Sequence, residues 1–134
     1  MGGSMIITPV DENGISVVSV DILMESLRRR FPDAKLTFND RSLDKPRTEL
    51  YSIWVAPASD SFFTVTLLKS GHGFSVDGTN DQNEVVAVAI REVWDTACRI
   101  VAVDSGGSWF VDLVPSMTPV DVRNGWRPLE ELQV

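Results

Sequence analysis

The apolar positions of this chain change period several times, and each change marks an element. From Val20 the residues Val20, Leu23, Met24, Leu27 and Phe31 recur at helical spacing, with Ser19 ahead of them and Pro32 behind. This spacing predicts a first helix, capped by the serine and ended before the proline. A second stripe, Val86, Ala89, Ile90, Val93 and Ala97, predicts a helix running from about Asp81 to Ala97. Its start is marked twice, by Thr79 with Gln82 and by Asp81 with Glu84, since either pairing satisfies the free amides of a first helical turn.

Elsewhere the period is two. "AKLTF" places Ala34, Leu36 and Phe38 on one side of a strand, "LYSIWVA" and "FFTVTLLK" alternate in the same way, and "GFSVD" follows across the turn that holds His72. "RIVAVD" and "SWFVDLV", joined through Ser105, Gly106 and Gly107, read as a last hairpin. The polar stretch from Asn39 to Glu49, with Pro46 inside it, reads as a surface loop. Near the start, Asn13-Gly14 suits a type I′ turn, and Pro9 confines the arm before it to an edge or irregular strand. "TPVDVRNGW" puts Pro119 after a threonine cap and Gly125 one turn later, which marks a short helix. Hairpin-length connections require antiparallel pairing. The expected fold is therefore α+β: a mostly antiparallel sheet of about five to seven strands, two main helices packed on one face, and a short C-terminal helix.

Composition narrows the class. A chain of 134 residues with 43% hydrophobic content fits one domain. Met1–Ser4 reads as a flexible stub of the kind expression leaves, which places the domain at 5–134. No apolar run approaches the roughly 18 residues a membrane span needs. The lone Cys98 fits a reducing compartment, so the expectation is a cytoplasmic protein with no membrane partner. A net charge of −7 opposes the phosphate backbone and favours a cationic partner over nucleic acid.

Candidate chemistry changes this picture little. His72 is the single histidine, so a histidine-based metal centre has no second ligand, and a dyad with Cys98 would have to be assembled across a whole helix. Its flanking glycines suit an exposed hairpin-loop residue. "DGTNDQNEV" departs from a calcium loop, because the sixth and twelfth positions counted from Asp77 are Gln82 and Val88 rather than glycine and glutamate. Nucleophile-elbow, dinucleotide and Walker motifs do not occur. Asp77, Asp104, Asp112 and Asp121 are too ordinary in an acidic chain to mark an acid–base pair. No catalytic, cofactor-binding or metal site is expected. The run Arg28–Arg30 reads as a solvated helix face that complements the helix dipole.

The aromatic residues say more. If Tyr51, Ile53, Val55, Phe63, Val65, Leu67, Trp109, Val111 and Leu113 face the helices, alternation turns Trp54, Phe62 and Phe110 away, among Thr64, Thr66, Ser108 and Asp112. That mixture fits a recognition surface, unless the C-terminal segment with Trp126 and Leu129 folds across it. The segments "VDGTNDQNEVVAVAIREVW" and "VDLVPSMTPVDVRNGW" resemble small bacterial immunity proteins of toxin–immunity pairs. The resemblance implies a cytoplasmic protein that binds and blocks a partner, such as a basic toxin domain. The aromatics Trp54, Phe62 and Phe110 with the acids Asp104 and Asp112 are then the expected contacts. The alternatives are a homodimeric or larger structural subunit that buries the same face and, behind it, a small-molecule-binding domain or a hydrolase.

Overall fold

Thr79 closes the first turn of the central helix from both directions: its hydroxyl accepts from the Gln82 amide at 3.2 Å, and its own amide donates to Gln82 Oε1 at 2.9 Å. This capping box opens α2 (Asn80–Val93). The computed structural model describes residues 3–10, 19–40, 49–58, 61–68 and 73–132. The other helices are α1 (Val20–Arg30), which follows Ser19 without a side-chain cap, and α3 (Pro119–Asn124), where Thr118 and Asp121 form a second capping box. The expected Asn13-Gly14 turn, residues 41–48 and the loop bearing His72 lie outside the described residues.

Helix α2 stops at Val93, short of the predicted Ala97, and Arg91 supplies the reason. The backbone turns extended at Trp94, and the buried guanidinium of Arg91 takes up the carbonyls there: Nη2 donates to Trp94 O at 3.0 Å and Asp95 O at 2.6 Å. Its Nη1 reaches Cys98 O at 2.9 Å and Leu113 O at 3.4 Å. One side chain thus gathers the carbonyls that follow α2 and ties the helix to the segment before β6 and to the end of β7. Burial lowers the pKa of this guanidinium, against smaller opposing effects of Cys98 and Asp95.

The strands are β1 (Gly3–Pro9), β2 (Lys35–Asp40), β3 (Glu49–Ala58), β4 (Ser61–Leu68), β5 (Phe74–Gly78), β6 (Ile100–Asp104), β7 (Trp109–Leu113) and β8 (Arg127–Pro128). They form one sheet in the order β2-β3-β4-β5-β1-β6-β7-β8, with every neighbouring pair antiparallel. Eight strands replace the expected five to seven, because the two-residue β8 is too short to show alternation. The reading of Pro9 also needs correction. β1 is a central strand between β5 and β6, and Pro9 is its last residue, two positions beyond the final β5 pairing of Ile7 with Phe74. The missing amide therefore breaks no ladder on that side.

One face of the sheet meets the helices. Ile7, Ile53, Val65, Phe74 and Ala102 from the strands join Leu23, Leu27, Val86 and Ile90 in a single buried cluster. Phe31 at the end of α1 packs edge-on to Phe63 at 5.3 Å, and Phe74 to Trp94 at 5.9 Å. The arginine run is a helix-to-helix link: Arg29 and Arg30 both pair with Glu92 of α2. Asn83 anchors the other end of α2, donating to Gly3 O at 2.7 Å and accepting from Gly78 N at 2.9 Å. Among the described residues no helix is long and apolar enough to cross a membrane.

Tyr51 is the chain's only tyrosine, and its buried hydroxyl finds no hydrogen-bond partner among the described residues. Burial pushes its pKa up to about 12 from an ordinary 10.0. The neutral phenol is thus favoured by folding, so its contribution is complete below pH ~10, the unfolded value, and is lost as pH rises toward the folded value. Absorbance titration should give one phenolate transition near pH 12 in the folded protein and near pH ~10 in denaturant. A folded midpoint at the denatured value would show a solvated hydroxyl.

Candidate functional site

On the sheet face turned away from the helices, the register aligns Thr37, Trp54, Thr64, Asp77 and Ser4 across five adjacent strands. Trp54 is 39% and Phe62 58% exposed, and their rings stack at 4.7 Å with planes 5° apart. The Trp54 indole N–H donates to Ser52 Oγ at 3.3 Å. Beside the pair, a groove of about 550 Å³ runs between β4, the end of β5 and the start of α2, lined by Phe62, Thr64, Asp77, Thr79 and Gln82. Two stacked rings in water, among hydroxyls and one exposed carboxylate, form an apolar anchor with a polar surround.

The rest of the expected surface is arranged differently. Phe110 does face away from the helices, but it is fully buried beneath the Arg127 guanidinium, which lies 4.9 Å from its ring centroid. Asp112 is engaged too. It accepts from Arg99 Nε at 2.8 Å and Arg127 Nη2 at 3.2 Å, and its hydrogen bond raises the Arg99 pKa. Phe110 is thus not an open anchor: Arg127 of the C-terminal segment lies over its ring. Asp104 lies on the helix side as the last residue of β6, where Oδ1 accepts across the turn from the amides of Ser108 at 2.9 Å and Trp109 at 2.8 Å. Trp54 and Phe62 therefore touch, whereas Phe110 and Asp112 sit four strands from Phe62, about 19 Å at the usual spacing of ~4.8 Å.

A cleft that strand alternation did not foretell lies near Asp104. Trp109, expected to be covered by the helices, is 47% exposed. It stands at the first position of β7, where the cover of α2 and α3 stops. With Trp126, Asn80, Glu84, Asp104 and Arg123 it lines a cleft of about 350 Å³. A depression of about 160 Å³ reaching Ser4 and Ser105 shares Asn80, Asp104 and Trp126 with it. Glu84 is buried and accepts from Arg123 Nη2 at 2.9 Å, while the exposed Asp81 meets the same Nη2 at 3.4 Å. Hydrogen bonding to Glu84 raises the pKa of Arg123. The signal available in the sequence was positional, a strand-leading tryptophan one residue after Gly106-Gly107. Among the described residues no group of His, Cys, Asp and Glu is placed to hold a metal ion. Comparison with known proteins finds no family model, no curated protein and no solved structure that matches the chain.

Proposed function

We propose that this protein is a non-enzymatic binding domain of the immunity or inhibitor kind, which neutralises a basic partner protein by docking it at Trp54 and Phe62, on the sheet face turned away from α1 and α2. The observation that carries this reading is the exposed stacked pair, flanked on the same face by Thr37, Thr64 and Asp77. Burying the two rings on a partner would remove apolar surface worth about 1.5–3 kcal/mol each. The net charge of −7 would hasten encounter with a cationic surface.

The test is capture from lysate of the source organism, with wild type and a Trp54→Ala/Phe62→Ala double variant as paired baits. Wild type should retain one stoichiometric basic protein that high salt releases, and the double variant should bind it about 30-fold more weakly, the equivalent of ~2 kcal/mol. Equal retention by both baits would overturn the reading. A rival rests on the open edge of the sheet: among the described residues β2 pairs only with β3, and Phe38 on it is 42% exposed. That edge suits self-association. A concentration-independent dimer mass, with bait alone recovered, would favour a homo-oligomeric subunit.

A further inference from the structure

We infer that the cleft between Trp109, Trp126 and Asp104 is a cation site that receives an arginine side chain of the docked partner, a step that rests on the binding-domain reading above. Three features converge there. Trp109 is 47% exposed, and with Trp126 it lines a space of about 350 Å³, ample for a guanidinium and its stem. Asp104 spends Oδ1 on two backbone amides, which fixes the carboxylate, while Oδ2 lies toward Gly106 and takes no part in those bonds. The local balance is also negative, because Glu84 and Asp104 line the cleft with one guanidinium, that of Arg123, which Glu84 and the neighbouring Asp81 already hold. A planar cation satisfies both wall and charge: it stacks on indole and donates to a carboxylate, which an ammonium does less well.

Position links the cleft to the aromatic face. Gly78 of β5 pairs with Gly3 of β1, and Met5 with Asp104, so the groove beside Phe62 and the cleft beside Trp109 open along the same end of the sheet. The start of α2 lies between them, with Thr79 and Gln82 in one and Asn80 in the other. β4 and β7 are four strands apart, about 19 Å. The two sites open on opposite faces, so the partner reaches round this end of the sheet, a span that an ordinary interface of ~800 Å² per partner exceeds.

The probe is acetyl-arginine amide, titrated into the intact protein while the four tryptophan indole N–H signals are followed by NMR, with acetyl-citrulline amide as its neutral isostere. The signals of Trp109 and Trp126, assigned by phenylalanine substitution, should shift together with a dissociation constant of about 1–10 mM. Citrulline, or the variant Asp104→Asn, should weaken the response at least about fivefold. The asparagine keeps an oxygen for the Ser108 and Trp109 amides, so the turn survives. Trp54→Ala should leave the titration unchanged. No shift at about 50 mM, or equal shifts from citrulline, would overturn the cation site, whatever the paired baits show. Arginine binding at the cleft together with equal capture by wild type and the Trp54/Phe62 variant would retain the site and discard the docking face.

Discussion

Arg91→Met is expected to lower the free energy of unfolding by about 3–5 kcal/mol, a large share of the ~5–15 kcal/mol that holds an ordinary domain together. The guanidinium is 3% exposed and donates to four carbonyls, those of Trp94, Asp95, Cys98 and Leu113. Methionine fills much of the volume but leaves these acceptors without donors, and a buried polar group stripped of its partner costs about 1–3 kcal/mol. The loss is offset in part, because no cation then has to be desolvated. Arg91→Lys separates shape from charge: a single ammonium in place of the forked guanidinium cannot serve both the helix end and the β7 carbonyl, so it should recover only part of the stability. Urea unfolding at neutral pH measures both variants. A loss below about 1 kcal/mol for Arg91→Met would mean that water replaces the guanidinium at the helix end.

Arg91 also marks a limit of what periodicity can reveal. Caps and stripes are local, so Thr79 with Gln82, Thr118 with Pro119, and the core faces of β3 and β4 were all legible in the chain. The end of α2 was not, because it is decided by a side chain that reaches carbonyls in three different segments. The same holds for β1. Its place between β5 and β6 depends on strand order, which no local pattern encodes, and Pro9 becomes harmless only once the β5 pairing is seen to stop at Ile7. For the candidate site, alternation placed Trp54, Phe62 and Phe110 on the correct face, yet face is not exposure. What decides exposure is the neighbour across the sheet: β2 leaves Trp54 open, whereas β8 delivers Arg127 over Phe110. Trp109 reverses that case, an inward position left uncovered where the helices end.

Phe62 and Phe63 turn this distinction into opposite expected results from adjacent residues. Phe63 is 2% exposed, packed among β3, β4 and the Phe31 ring, so Phe63→Ala should cost about 3–5 kcal/mol of stability through lost burial and the cavity left behind. Phe62 is 58% exposed and gives up only its stack on Trp54, so Phe62→Ala should cost about 1 kcal/mol or less. Binding should rank them the other way. With Phe62→Ala the fold persists and the partner's affinity falls, whereas at protein concentrations and temperatures where Phe63→Ala stays folded its affinity should match wild type. Urea midpoints and equilibrium binding on the same preparations supply both rankings. If Phe62→Ala instead costs more than about 2 kcal/mol, and the cost grows with protein concentration, the ring is already buried against another copy in solution. The exposed pair would then be half of a self-interface, and the acidic surface would have solubility rather than a basic partner as its physical role.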